Sequence, residues 1–248
     1  MDTRKILLIF GKAPFQAIMT IISFVLFVGV YWFVTARAIE PYYFAGLIFA
    51  VPFIFFGIIT FFTVTGKLEV IISYVITCVL IFLLFFGEIF AFCFLVIDAA
   101  TTTTTDIGKY ERVLKFTGYP KDKLTKYFPN KIPDNAKNIV FSYNPAFVQG
   151  GEIFGLRFEI DSDFINSYIE KLSNKVKWMG KPDDDEVIEN GIYSNSFDIL
   201  GYSNLPRDFT IYLIGSEPYR PNNWNHGKFS LVAISRQRNE IIFLAEDW

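Results

Sequence analysis

Hydrophobic positions follow two regimes along this chain. Up to about residue 100 they form three nearly unbroken blocks, and beyond it they alternate with polar residues in short runs. The first block runs from about Ala13 to Val34, with Tyr31 and Trp32 near its end, where aromatic rings favour the lipid–water boundary. The second covers about Tyr43 to Val64, with Pro41 suited to its first turn and Pro52 expected to bend it mid-way. The third, Val70 to Ile97, holds 28 positions with one formal charge, Glu88. Blocks of this length and apolarity read as transmembrane helices, each needing about 20 residues to cross a ~30 Å hydrocarbon core. The short loop at Gly66, Lys67 and Glu69 makes the second and third spans antiparallel neighbours. Gly46 and Ala50 form a small-xxx-small pair that lets a neighbouring helix approach closely.

After the run Thr101 to Thr105, read as a stalk, the pattern changes to that of an aqueous domain. A helix is expected over Asp106 to Thr117, ending at Gly118, and a second short one over Lys121 to Phe128. Ile139, Phe141 and Tyr143 alternate as a strand, and Phe154, Leu156, Phe158 and Ile160 give another, a hairpin across Gln149-Gly150-Gly151. Asp161 to Trp178 is the main helix, with acidic caps at its start, lysines at its end and a stripe of Ile165, Tyr168, Ile169, Leu172 and Val176. A loop-rich segment, 182–207, precedes strands at Phe209 to Ile214, Lys228 to Ser235 and Glu240 to Ala245. The expected architecture is three transmembrane helices (1–100), a Thr-rich linker (101–106) and a C-terminal α+β domain (107–248). Its antiparallel sheet has about five strands in the order ββαβββ under one main covering helix.

Composition sharpens the division. The chain is 52% hydrophobic with 29 Phe, yet 18 of its 23 Lys and Arg and 20 of its 25 Asp and Glu follow the threonine run. The tail's net charge of −2 excludes the basic footprint of a nucleic-acid binder. Cys78 and Cys93 both lie in the third block, 15 positions apart on one helix, so the chain has neither an internal disulfide nor a cysteine zinc site. Ala36-Arg37-Ala38 imitates a signal-peptidase site, but the preceding block is too long for a signal core and more spans follow. Arg4, Lys5, Lys12 and Lys67 on one side balance Arg37, Lys109, Arg112 and Lys115 on the other. At the flanks of the first span, which usually dominates, Arg4, Lys5 and Lys12 outweigh Arg37. A cytoplasmic N-terminus is therefore expected, with the C-terminal domain on the other side of a cell membrane.

Candidate chemistry is sparse. Glu88, flanked at helix-contact spacing by Gly87 and Ala91, reads either as a proton- or ion-linked transport site or as a residue reaching the outer headgroups of an over-long span. His226, the lone histidine, is the one candidate for a catalytic base in a membrane-bound hydrolase, but no G-x-S-x-G elbow accompanies it. Trp224 and Tyr219, with Arg220 and His226, are candidates to line a ligand groove, with packing as the simpler role. Asp183, Asp185 and Glu186, in the acidic run that includes Asp184, are candidate ligands for a hard cation, though the spacing is not that of an EF-hand. A solvated charge run is the simpler reading. Gln149-Gly150-Gly151 is a turn and not a phosphate loop, because no Lys-Ser/Thr follows it and it opens a strand.

The tail carries Phe128-Pro129-x-x-Ile132-Pro133, Pro145-x-Phe147-x-Gln149-Gly150-Gly151, Trp224-Asn225-His226-Gly227 and a terminal Glu246-Asp247-Trp248. In these it resembles the C-terminal domains of uncharacterised bacterial membrane-anchored proteins, chiefly of Gram-positive species. The resemblance spans about the last 130 residues and implies an anchored α+β domain with no particular chemistry. No cofactor is expected. The expected partners are the lipid bilayer and a protein or small-molecule ligand, bound without catalysis.

Overall fold

Three runs of side chains that are apolar on every face wind into helices whose lateral surfaces stay largely open, as helices bathed in hydrocarbon do. In the computed structural model, which describes residues 9–146, 151–189, 192, 194–217 and 227–247, all three are long and apolar enough to cross a membrane. Helix α1 spans Pro14–Trp32 and continues as a π-helical turn, Phe33–Arg37. A 3₁₀ turn, Ala45–Ala50, leads into α2, Val51–Val64. Pro52, where the sequence predicts a bend, sits in the first turn of α2. The winding changes beside it, where the first turn of α2 needs no proline N–H. Helix α3, Val70–Thr101, has 32 residues. At 1.5 Å per residue it is about 48 Å long, well beyond a single crossing. The chain divides at Ala99/Ala100 into two compact units.

In the first unit α1 and α2 pack closely. Thr20 and Thr60 meet hydroxyl to hydroxyl at 3.1 Å. Gly46 lies so near α1 that a Cβ there would stand 3.1 Å from both Tyr31 and Val34, which accounts for the small residue. Thr60, Thr63, Thr77 and Ser23 donate to carbonyls one turn back, so these hydroxyls need no water.

In the second unit six strands form one antiparallel sheet in the order β1-β2-β6-β5-β4-β3. They are β1 (Lys137–Asn144), β2 (Glu152–Glu159), β3 (Trp178–Gly180), β4 (Thr210–Glu217), β5 (Lys228–Ser235) and β6 (Glu240–Asp247). One face carries Phe141, Tyr143, Phe154, Leu156, Phe158 and Phe243. It is covered by α4 (Tyr110–Phe116), by Phe128 and by α5 (Ser162–Leu172). The other carries Ile211, Leu213, Leu231, Ile242 and Leu244 under a 3₁₀ segment, Ser194–Leu200, and its flanks; α6 (Glu186–Glu189) precedes it. Both faces are thus buried, where the sequence suggests cover by one main helix. That is why β5 and β6 read as almost continuous apolar runs.

Three elements differ from expectation. Trp178–Gly180 is an edge strand, whereas the spacing extends the main helix to Trp178. The helix stops at Leu172, and the Lys177 amide donates to the Leu213 carbonyl at 2.7 Å, drawing the chain onto β4. Residues 121–128 form turns and no helix. The Asp122 carboxylate accepts from the amides of Leu124 and Thr125, at 2.9 and 2.8 Å, and so competes with helical bonding. Part of the Thr run belongs to the fold. Thr101 closes α3, and Thr104 exchanges two 2.9 Å backbone bonds with Tyr143 of β1.

Candidate functional site

The third helix meets the α1–α2 pair towards its two ends. At one end the Gln16 amide donates to Ser73 Oγ at 2.7 Å, and Phe15 stacks on Tyr74 with ring centroids 5.2 Å apart. At the other, Leu95 joins Val34 and Phe49, and the Tyr42 hydroxyl donates to Asp98 Oδ2 at 2.7 Å. Burial and the neighbouring Asp98 hold the Tyr42 phenol above its ordinary range. Between these contacts the helices part around a groove of about 340 Å³. Its lining is apolar apart from Ser23 and Glu88. Ser23 bonds to carbonyls of its own helix, at 2.6 Å to Met19 and 3.2 Å to Thr20.

Glu88 therefore faces the other two helices. At 100° per residue Ser73, Thr77, Glu88 and Asp98 fall within an arc of about 80° on α3. Glu88 also lies about 15 Å along the helix from Asp98 and about 22 Å from Ser73. This is three turns inward of the Tyr42–Asp98 bond, and not among the outer polar contacts. The sequence pattern points to Glu88 and leaves Gln16, Tyr42, Ser73 and Asp98 unmarked. The common stripe of polar residues on an otherwise apolar helix was the signal that would have found the last two.

Of the aqueous candidates, Trp224, His226, Tyr219 and Arg220 lie outside the described residues, as do Gln149 and Gly150. The acidic run is committed to local structure at two positions. The Arg207 guanidinium donates to Asp183, and Asp184 Oδ2 accepts from the Lys181 amide at 2.6 Å, while Asp185 and Glu186 are exposed. Glu186 begins α6. Among the described residues no group of three or more His, Cys, Asp or Glu is placed to hold a metal ion.

Two carboxylates on β6, one buried and one half-buried, are not signalled by the sequence pattern. Glu240 on β6 is 6% exposed and is met by Arg157 Nε at 3.4 Å and by the Tyr202 hydroxyl. Glu246, farther along β6, has a buried Oε2 with no partner among the described residues. Burial pushes the Glu246 carboxyl above its ordinary range, and a hydrogen bond from Ser196 only partly opposes this. With the folded pKa raised, ionisation costs stability as pH climbs above the ordinary glutamate range. Glu246→Gln is therefore expected to stabilise the domain by roughly 1 kcal/mol at pH 8. The gain should vanish as pH falls towards 4, where both states of the native protein are protonated. Urea titrations of the full chain in detergent at the two pH values measure it. A variant no more stable at pH 8 than at pH 4, relative to native, would show that Glu246 ionises freely. Comparison with protein-family models, with curated proteins and with solved structures finds no match for this chain.

Proposed function

We propose that this is a multi-pass membrane protein that anchors a binding domain, without catalysis of its own, on the far side of a cell membrane. The observation that carries the reading is the chain division at Ala99/Ala100. Three membrane-length apolar helices lie before it, and after it a sheet with both faces buried supplies its own core. A domain that folds on its own aromatic core gains nothing from lipid, so its covalent attachment to three spans supports anchoring as one role of the spans. The ligand is a protein or a small molecule. The sidedness follows from the three basic residues Arg4, Lys5 and Lys12 before the first span against Arg37 after it. An odd number of spans then carries the domain out of the cytoplasm.

Cysteine accessibility tests this directly. Cys78 and Cys93 are free and lie on α3, and the C-terminal domain contains no cysteine. In a background with both changed to alanine, Asp134→Cys places one thiol at an exposed turn. A membrane-impermeant maleimide is expected to label it in intact spheroplasts, while the protein stays in the membrane pellet after carbonate extraction. Labelling only after lysis would put the domain in the cytoplasm, and release by carbonate would remove the anchor.

A further inference from the structure

The groove between the three helices combines a defined shape with one charge-bearing group, and together these select a ligand. The lining on α3 extends from Ile81 to Phe92, about 16 Å along the axis. The groove opens between side chains of all three helices. It is wide enough for one hydrocarbon chain at ~4 Å carbon–carbon contacts, and its volume falls at the low end of ligand pockets.

Glu88 sets the polarity of the occupant. It is the one ionisable residue of the lining and has no hydrogen-bond or ion-pair partner among the described residues. The polar contacts at Ser73 and Asp98 are about 38 Å apart along α3, close to the thickness of a bilayer with its headgroups. A ~30 Å hydrocarbon core centred between them puts Glu88 about 4 Å from its midplane. An intramembrane carboxylate is stable there when a cation meets it. The ammonium of an ordinary phospholipid stays with its phosphate at the interface and cannot descend to this depth.

We propose that the groove binds a single-chain lipophilic amine, its ammonium paired with the Glu88 carboxylate and its alkyl chain running between α1 and α3 towards Met19 and Ile81. Phe27 and Phe92 line the same groove. The inference rests on the membrane reading above, and its test separates the two.

The full-length chain is reconstituted in phosphatidylcholine vesicles and labelled with a hexadecylamine analogue bearing a diazirine on its chain. Hexadecylamine, hexadecanol and hexadecanoic acid serve as competitors. Labelling is expected on the stretches 19–30 and 81–92, displaced by the amine far better than by the alcohol or the acid. Glu88→Gln should weaken the amine by on the order of 30-fold and bring it level with the alcohol. Glu88→Asp, which keeps the charge, should preserve the preference and guards against a fault in helix assembly. Equal displacement by amine and alcohol in the native chain would overturn the proposal. So would survival of the preference in Glu88→Gln, or labelling confined to the outward-facing Phe82, Phe86 and Phe90. A chain that does not float with the vesicles overturns the membrane assignment itself, and this inference with it.

Discussion

Phe154→Ala is expected to destabilise the C-terminal domain by about 3–5 kcal/mol, a large part of the ~5–15 kcal/mol that holds a typical domain together. Phe154 is 1% exposed, and its ring sits at the meeting point of four others. Phe128 stacks on it with centroids 4.6 Å apart, Tyr110 lies at 5.9 Å, and Phe141 and Tyr143 approach edge-on at 5.7 and 5.8 Å. Those neighbours come from α4, from the turn before β1 and from β1 itself. The cavity left by truncation therefore cannot close by the shift of a single element. Urea unfolding of the full chain in detergent, followed by near-ultraviolet circular dichroism, reads the loss. Phe116→Ala, at an exposed aromatic of the same domain, should shift the midpoint by no more than about 0.5 kcal/mol. Equal effects from the two variants would show that the aromatic cluster is not the domain's core.

Arg157→Met should cost about 2–3 kcal/mol at pH 8, for an electrostatic reason. The Arg157 side chain, 21% exposed, lies over the Tyr202 ring at 5.0 Å and reaches Glu240, whose side chain is 7% exposed. Removing this cation leaves a buried carboxylate with the Tyr202 hydroxyl, 2.9 Å away, and the more distant Arg238 to offset its charge. Loss of one partner of a fully buried pair costs about 3–5 kcal/mol, and the partial exposure of Arg157 lowers that figure here. The pH dependence has a definite sign. Burial holds the Glu240 carboxyl above its ordinary range even though Tyr202 and Arg157 pull it down. Without Arg157 it rises further, so the penalty grows with pH above the ordinary glutamate range. Native and variant stabilities should converge towards pH 4, where the carboxyl is protonated folded and unfolded alike. A penalty independent of pH would assign the effect of Arg157 to packing on Tyr202.

Local pattern made much of this architecture readable. The spans follow from apolar blocks that nothing aqueous could bury, and β1 and β2 from the alternation of Ile139, Phe141 and Tyr143 and of Phe154, Leu156, Phe158 and Ile160. What stayed hidden depends on long-range partners. Trp178–Gly180 has three residues, too few for a period, and becomes a strand only because Leu213 and Tyr212 lie beside it. The layer over the second face comes from a segment read as loop-rich. Its apolar positions Phe197, Leu200 and Leu205 follow no single spacing, although each is buried. At the groove, the charge of Glu88 drew notice because it breaks an apolar run, whereas its inward direction was legible only by projecting Ser73, Thr77 and Asp98 onto the same helix. Gly155 gives a similar lesson. A Cβ there would come within 2.9 Å of Leu200, a contact across 45 residues that no local spacing reveals.

Anchoring confines copies of a protein to two dimensions and raises their encounter rate, so an open sheet would invite lateral polymerisation. Each border of this sheet works against it. On one side β3 offers only three residues of backbone to a would-be neighbour. On the other, Thr104 occupies the Tyr143 position of β1, and the register shift between Lys137 and Val140, with Asn138 at φ 49°, twists the rest of that strand away from a flat template. Crowded side by side on a membrane, such domains can touch without adding strands to one another.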